Sequence, residues 1–325
     1  MPSVDKTGAA PFSSSNIGWL AYVPGDVKAE DRRLVWVDRA GKEQPFPLPA
    51  RPYIDISLSP EGHRLAASID EGNRADIWLF DIPRAVLARL SFAATNSASV
   101  WTPDGKKIGF YSNRKGQWNL YWIASDGSGV EEQLTASEFP QIPWSWSPDG
   151  QLLAYSESHP ITGTDIWVLS LKENRKARPF LRTSFNEDVP IFSPDGRWLA
   201  YQSNESGRNE IYVQPYPGPG GKLMISSEGG AKPLWASDGK ELFYRNGDKM
   251  MAARISYRPE FGAAKPVVLF DKHYKEDPTG RQYDITTEGR QFVMMEENDQ
   301  VAAATRLNIV VNWFEELKKK VPTGK

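Results

Sequence analysis

The chain has no cysteine in its 325 residues, which excludes disulfide bridges, thiolate metal ligands, iron–sulfur clusters and thiol nucleophiles. Histidine is scarce, with His63, His159 and His273 the three present. Charge of one sign is also missing. The 39 Lys and Arg nearly cancel the 41 Asp and Glu, and nucleic-acid binding needs a cationic excess that is not here. No apolar run approaches the roughly 18 to 20 residues of a spanning helix, and Met1 to Ala10 lacks the basic start and apolar stretch of an export signal. Neither membrane insertion nor a targeting address is therefore expected of this chain. Turn formers, in contrast, are plentiful and evenly spread: 26 Gly and 25 Pro stand beside 12 Trp, 12 Tyr and 14 Phe. That mixture predicts many short strands.

An internal repeat organises them. Ser59-Pro60-Glu61-Gly62, Thr102-Pro103-Asp104-Gly105, Ser147-Pro148-Asp149-Gly150 and Ser193-Pro194-Asp195-Gly196 recur, with looser copies at Ala236-Ser237-Asp238-Gly239 and Thr286-Thr287-Glu288-Gly289. Each has the residue order of a type I turn. Three residues beyond each glycine a strand opens with Leu65, Ile108, Leu153, Leu199, Leu242 or Phe292, and Leu20 in Trp19-Leu20-Ala21-Tyr22 supplies a seventh. The steps between these seven are 45, 43, 45, 46, 43 and 50 residues, the length of a four-stranded propeller blade. The expected fold is all-β: a seven-bladed β-propeller of four-stranded antiparallel blades, with six or eight blades as alternatives. It spans residues 12–312, after an N-terminal tail (1–11) and before a short helical tail (313–325). For the last blade, strands near Arg281–Thr286, Gln291–Met295 and Leu307–Val311 supply three members. A fourth is expected either to be absent or to come from near Trp313–Val321.

The turns, the Leu-Ala-Tyr strands and the third strands Asp76-Ile77-Trp78, Asn119-Leu120-Tyr121, Asp165-Ile166-Trp167 and Glu210-Ile211-Tyr212 together resemble the PD40, or TolB-like, class of WD40-like propeller repeats. The phrases Leu34-Val35-Trp36-Val37-Asp38-Arg39, Ser203-Asn204-Glu205-Ser206-Gly207-Arg208, Tyr216-Pro217-Gly218-Pro219-Gly220-Gly221-Lys222 and Val311-Asn312-Trp313 resemble the propeller that is C-terminal in bacterial transmembrane Ser/Thr protein kinases. The resemblance implies a periplasmic or extracytoplasmic sensory module. No kinase motif accompanies it.

Catalytic signatures are few. There is no Gly-x-Ser-x-Gly elbow, and the repeats leave no room for a hydrolase domain. Gly218-Pro219-Gly220-Gly221-Lys222 is followed by Leu223, so it reads as a hairpin turn and not a phosphate loop. The three histidines fall in separate loops, which argues against an imidazole metal site. One acid per turn at Asp104, Asp149, Asp195 and Asp238 suits turn capping better than the clustered oxygens calcium needs. Trp78, Trp101, Trp146, Trp167 and Trp235 occupy repeat positions and read as blade packing. Trp118 and Trp122 fall outside the template, and one of them is a candidate for an exposed contact at the blade edge.

A propeller places the loops entering its innermost strands around one channel mouth, which is the default binding site. In this register the candidates are Tyr53 and Asp55, Asn96, Gln141 and Trp144, Asn186, Glu187 and Asp188, Lys232, and Arg281 and Tyr283. Trp144 breaks the repeat pattern, so it reads either as a stacking platform or as packing beneath a loop. The expected role is non-enzymatic recognition of a peptide, protein or glycan by a monomer, with no cofactor and no metal. The alternative is a lyase or hydrolase in which Asp55 and Asp188 do acid–base work and Lys232 or Arg281 stabilises charge.

Overall fold

The computed structural model describes residues 12–15, 18–22, 31–258, 260–277, 279–297, 308–311 and 313–314. They fall into two units, Asp31–Asn298 and a second made of Met1–Glu30 with Asp299–Lys325.

The larger unit is a propeller of six blades. Blade 1 runs Tyr53–Leu58, Arg64–Asp70, Ala75–Asp81 and Val86–Arg89 from axis to rim. Blade 2 is Asn96–Trp101, Lys107–Ser112, Asn119–Ala124 and Glu132–Gln133, and blade 3 is Gln141–Trp146, Leu152–His159, Gly163–Ser170 and Lys176–Leu181. Blade 4 is Glu187–Phe192, Trp198–Ser203, Glu210–Pro215 and Leu223–Met224. In blade 5, Ala231–Trp235, Glu241–Asn246, Lys249–Ser256 and Val267–Asp271 follow in the same order.

Blade 6 is shared between the two ends of the unit. Its inner strands are Tyr283–Ile285 and Gln291–Glu297, and its outer strands are Arg32–Asp38 and Glu43–Pro45. Gln291–Glu297 pairs with Arg32–Asp38 along its whole length, from Gln291↔Asp38 to Glu297↔Arg32. Phe292, Val293, Met294 and Met295 are all buried, so this strand needs neighbours on both edges and both faces. Leu34 and Val37 fill one side each. The expected count of seven is therefore corrected to six. Trp19–Tyr22, read as opening the seventh copy, instead forms a three-stranded sheet with Phe12–Ser14 and Asn308–Val311 in the smaller unit. Asn308–Val311 is accordingly not the third strand of the last blade. Among the described residues, helix is confined to Trp313 and Phe314; the rest of the expected helical tail, and residues 1–11, lie outside them.

The repeated turns take the shape their residues dictate. The N–H groups of Gly62, Gly105, Gly150 and Gly196 donate to the carbonyl three residues back at 2.8–2.9 Å. Gly105 has φ +66, the left-handed residue that follows a type I turn in such hairpins. Asp104, Asp149 and Asp195 accept the hydroxyl of Thr102, Ser147 and Ser193 at 2.7, 2.6 and 2.6 Å. They are turn caps. The apolar core lies between blades: Ala66 and Ile77 of blade 1 pack on Trp101, Ile108 and Phe110 of blade 2. Trp101 and Trp235 also donate through Nε1 to the preceding blade's Ser57 and Ile191 carbonyls. Trp122 stacks on Trp146, with the Lys107 ammonium over its ring, and Trp118 meets Tyr111 edge-on. Both are half-buried, so neither forms the exposed edge patch considered from sequence.

Candidate functional site

Ten of the eleven predicted mouth residues separate into two groups, and Trp144 stands apart from both. Those opening the inner strands point into the blades and tie them together. Tyr53 is buried and donates to the Pro49 carbonyl at 2.8 Å. Asn96 is buried among Ser91, Ala93 and Arg114. Gln141 donates to Glu157 at 2.6 Å. Glu187 accepts the Thr183 hydroxyl at 2.5 Å, and burial pushes its carboxyl above the usual range, with the neighbouring Asp165 adding to the effect. Asn186 is exposed and accepts from the Thr164 N–H at 3.0 Å.

Asp55, Asp188, Lys232, Arg281 and Tyr283 form the second group, which gathers toward the axis. Asp55, Asp188 and Lys232 sit where their inner strands bulge; the register shifts at Tyr53/Asp55, Asp188/Ile191 and Ala231/Leu234. Val189 and Lys232 carry φ of 55 and 53 at these bulges. For β-branched Val189 that conformation is strained, a state found where surrounding contacts enforce it.

Asp55 is buried and fully engaged. Its Oδ2 accepts from the Ser97 hydroxyl at 2.5 Å and the Ala98 N–H at 2.8 Å, and its Oδ1 from the Ser99 N–H at 3.1 Å and hydroxyl at 3.3 Å. The carboxylate thus clasps blade 1 to blade 2. Lys232 Nζ donates to the Gly280 carbonyl at 3.0 Å, and also to the Asp277 carbonyl and Gln282 Oε1. Burial brings this ammonium down to about 8, against the opposing pull of Asp277, Glu276, Asp188 and Asp55. Tyr283 donates to the Lys232 carbonyl at 2.5 Å. Arg281 donates to the Trp144 carbonyl at 3.1 Å and lies 3.7 Å from Asp284.

Asp188 keeps an oxygen available. Its Oδ1 accepts from the Ser156 hydroxyl at 2.5 Å and the Val189 N–H at 2.7 Å, while no hydrogen bond from a described residue reaches Oδ2. Burial raises its carboxyl, and Ser156, Val189 and Lys232 oppose that shift. The Trp144 ring is not a platform at this mouth: it is 2% exposed, packs with Val189 and Ile191, and donates to Ser156 at 2.9 Å. Blades 6 and 3 are opposite in the ring, so Arg281 crosses the axis, and the loop ending at Gln282 packs over Asp55. A Cβ added to Gly280 would lie 2.7 Å from that of Asp55.

Sequence reasoning missed Ser97, Ser156 and Gln282, the neutral partners that hold the charged groups, and Gln202, which accepts from the Lys232 backbone N–H. Ser97, Ser156 and Gln202 are ordinary strand residues and Gln282 ends a loop, and nothing in their spacing distinguishes them. The constellation contains no paired, free general acid and base, since Asp55 has no idle oxygen facing Lys232. Among the described residues no three His, Asp or Glu side chains gather as metal ligands. His63 is exposed, His273 meets Asp248 at 2.8 Å, and His159 packs edge-on against Phe139.

No family model matches the chain. It is 23% identical over 193 residues to the Tol-Pal system protein TolB of Wolinella succinogenes, covering 53% of this chain and 43% of that protein. It is 22% identical over 191 residues to the uncharacterized peptidase YuxL of Bacillus subtilis, covering 46% and 29%. In both cases the match spans under half of the relative's length. Among solved structures, a putative TolB from Agrobacterium tumefaciens superposes with TM-score 0.66 at 16% identity, covering 83% of this chain and 99% of that one. An oligogalacturonate lyase in complex with manganese superposes with TM-score 0.53 at 13% identity, covering 94% and 82%. Identities this low speak for the fold, and the fold they show is a TolB-like β-propeller.

Proposed function

We propose that this chain is a recognition propeller that docks a peptide or protein segment at the channel mouth and performs no reaction there. One observation carries the reading: the ionisable groups gathered at the axis are already held by neighbouring blades. Asp55 has four donors, Lys232 three acceptors and Arg281 a carbonyl. General acid–base catalysis needs groups within hydrogen-bond reach of substrate that are free to change protonation. Of the carboxylates gathered toward the axis, Asp188 alone keeps an oxygen that no described residue hydrogen-bonds, the unpartnered Glu187 Oε2 being buried in the blade. A rigid polar rim with that unmet acceptor suits an incoming backbone N–H or hydroxyl. The likeness to a protein of the Tol-Pal system supports an assembly role.

A phage-displayed random peptide library panned on the immobilised chain tests this. The expected result is enriched peptides whose affinity falls at least tenfold for Asp188→Asn, a near-isosteric change. Failure to enrich, or enriched peptides indifferent to that change, would overturn the reading, as would formation of unsaturated products from polygalacturonate. The extracytoplasmic location and the place in a kinase-type receptor are further proposals, supported by the phrases at Leu34–Arg39 and Ser203–Arg208. An adjoining reading frame encoding a kinase and a membrane span is the check.

A further inference from the structure

Blade 3 departs from its neighbours in ways the fold does not require. The residue paired with the first position of the inner strand is Ile69 in blade 1, Ser112 in blade 2, Ser203 in blade 4, Arg245 in blade 5 and Met294 in blade 6, but Glu157 in blade 3. The hairpin carrying it also pairs two residues further, through Ser158↔Thr164 and His159↔Gly163, where blades 2 and 4 stop at Ser112↔Asn119 and Ser203↔Glu210. Of the six blades, blade 3 alone places a carboxylate there, and its Oε1 receives no hydrogen bond from a described residue, an acceptor that a ligand's donor would satisfy.

A groove of about 490 Å³ lies over that position, between blade 3 and the crossover from blade 2. Tyr155, Glu157 and His159 alternate along one strand and share its face toward the groove, with Trp167 paired beside Tyr155. Glu157 Oε2 is fixed by Ser137 at 2.9 Å and Gln141 at 2.6 Å. No hydrogen bond from a described residue reaches its Oε1 or the Tyr155 hydroxyl. Burial and the Glu157 charge raise the Tyr155 phenol, which keeps it protonated and a donor. The cations at the rim are already matched: Arg182 lies 3.6 Å from buried Asp165, and Arg175 pairs with Glu132.

From this arrangement we infer that the groove between blades 2 and 3 binds a neutral sugar ring of a glycan. A fixed acceptor and donor side by side match vicinal hydroxyls, and the half-buried Trp167 indole offers an apolar surface to the ring's C–H face. An anionic sugar finds no unpaired cation here, and a lysine or arginine side chain would meet Arg182 and Arg175 at the entrance. The site is separate from the mouth and does not depend on what docks there.

The test is an immobilised array of neutral, uronate-bearing and amino-sugar oligosaccharides, with a lysine-rich peptide as a further probe. The full chain should bind at least one neutral glycan. Glu157→Gln, whose oxygen can still accept from Ser137 and Gln141, should lower that binding at least tenfold, and Trp167→Leu likewise. His159→Ala at the rim, with an unchanged melting temperature, should weaken it less, and Asp188→Asn should leave it intact. Absence of any neutral glycan, preference for the uronates or the peptide, or equal binding by Glu157→Gln would overturn the inference. Loss in Asp188→Asn but not in Glu157→Gln would assign sugar binding to the mouth instead.

Discussion

Arg281 donates through Nη2 to the carbonyl of Trp144 at 3.1 Å, joining two blades that face each other across the ring. A side chain spanning the axis does what no contact between neighbouring blades can do: it fixes the width of the channel. Arg281→Ala leaves that carbonyl and Asp284 without their cation. It is expected to lower the free energy of unfolding by about 1–2 kcal/mol, in the range for a hydrogen bond to a charged group. Urea unfolding with an unchanged slope measures it, and an unaltered midpoint would show that the span contributes nothing to stability.

Asp55 should matter more than any turn acid. Asp55→Ala strands the Ala98 and Ser99 N–H groups in a buried seam, at about 2–4 kcal/mol for two unmet donors. Asp104→Ala removes a cap at the surface and should cost less than about 1 kcal/mol. Equal losses in the two variants would refute the clasp.

Lys232 gives the fold a pH dependence of definite sign. Burial brings its folded pKa to about 8 against the ordinary 10.5, so between those values the unfolded chain binds the extra proton and stability from this group rises with pH. Lys232→Met should remove that rise while leaving the rest of the profile in place. Melting temperatures from pH 7 to 10.5 in both proteins check this, and parallel curves would contradict it.

Asp188 behaves oppositely. Its carboxyl is raised above 3.8 by burial, so its contribution is largest at acid pH and falls as pH climbs through the folded value. Asp188→Asn should therefore stabilise the protein at pH 7, with the gain shrinking toward pH 3. A destabilised variant at neutral pH would mean that the ionised form is the preferred one.

Ring closure rests on Phe292, which is buried among Phe243, Phe270 and Tyr283. Phe292→Ala should cost about 3–5 kcal/mol, as for large aromatic deletions in a core. If closure is the last step to form, the loss will show mainly as faster unfolding. A change confined to the refolding rate would place this blade in the folding nucleus.

The blade period was legible because it is local. A Ser-Pro-Asp-Gly turn, an apolar strand three residues on and a hairpin are set by φ preferences and alternation, and Gly105 and Asp104 act as their types predict. The number of blades was not. Trp19–Tyr22 has the same strand pattern as Trp198–Tyr201, and pattern alone cannot say whether a strand joins the ring. That depends on whether Gln291–Glu297 takes Arg32–Asp38 as its partner, a choice between residues some 260 positions apart.

The same division runs through the candidate site. Asp55, Asp188, Lys232 and Arg281 could be placed at one end of the ring by register, since each sits four or five residues before a repeated turn. Whether each was free or engaged was decided by packing: the Ser97 hydroxyl, the Gly280 carbonyl and the Trp144 carbonyl come from other blades. Glu157 carried a sequence signal, the one acid where other blades hold Ile69, Ser112, Ser203, Arg245 or Met294, yet it gained meaning only with the groove above it. Sequence determines local geometry through the chain's own dihedrals and periodicity. Hydrogen-bond partners from distant strands exist only once the ring has closed, and those decided which groups remain available to a ligand.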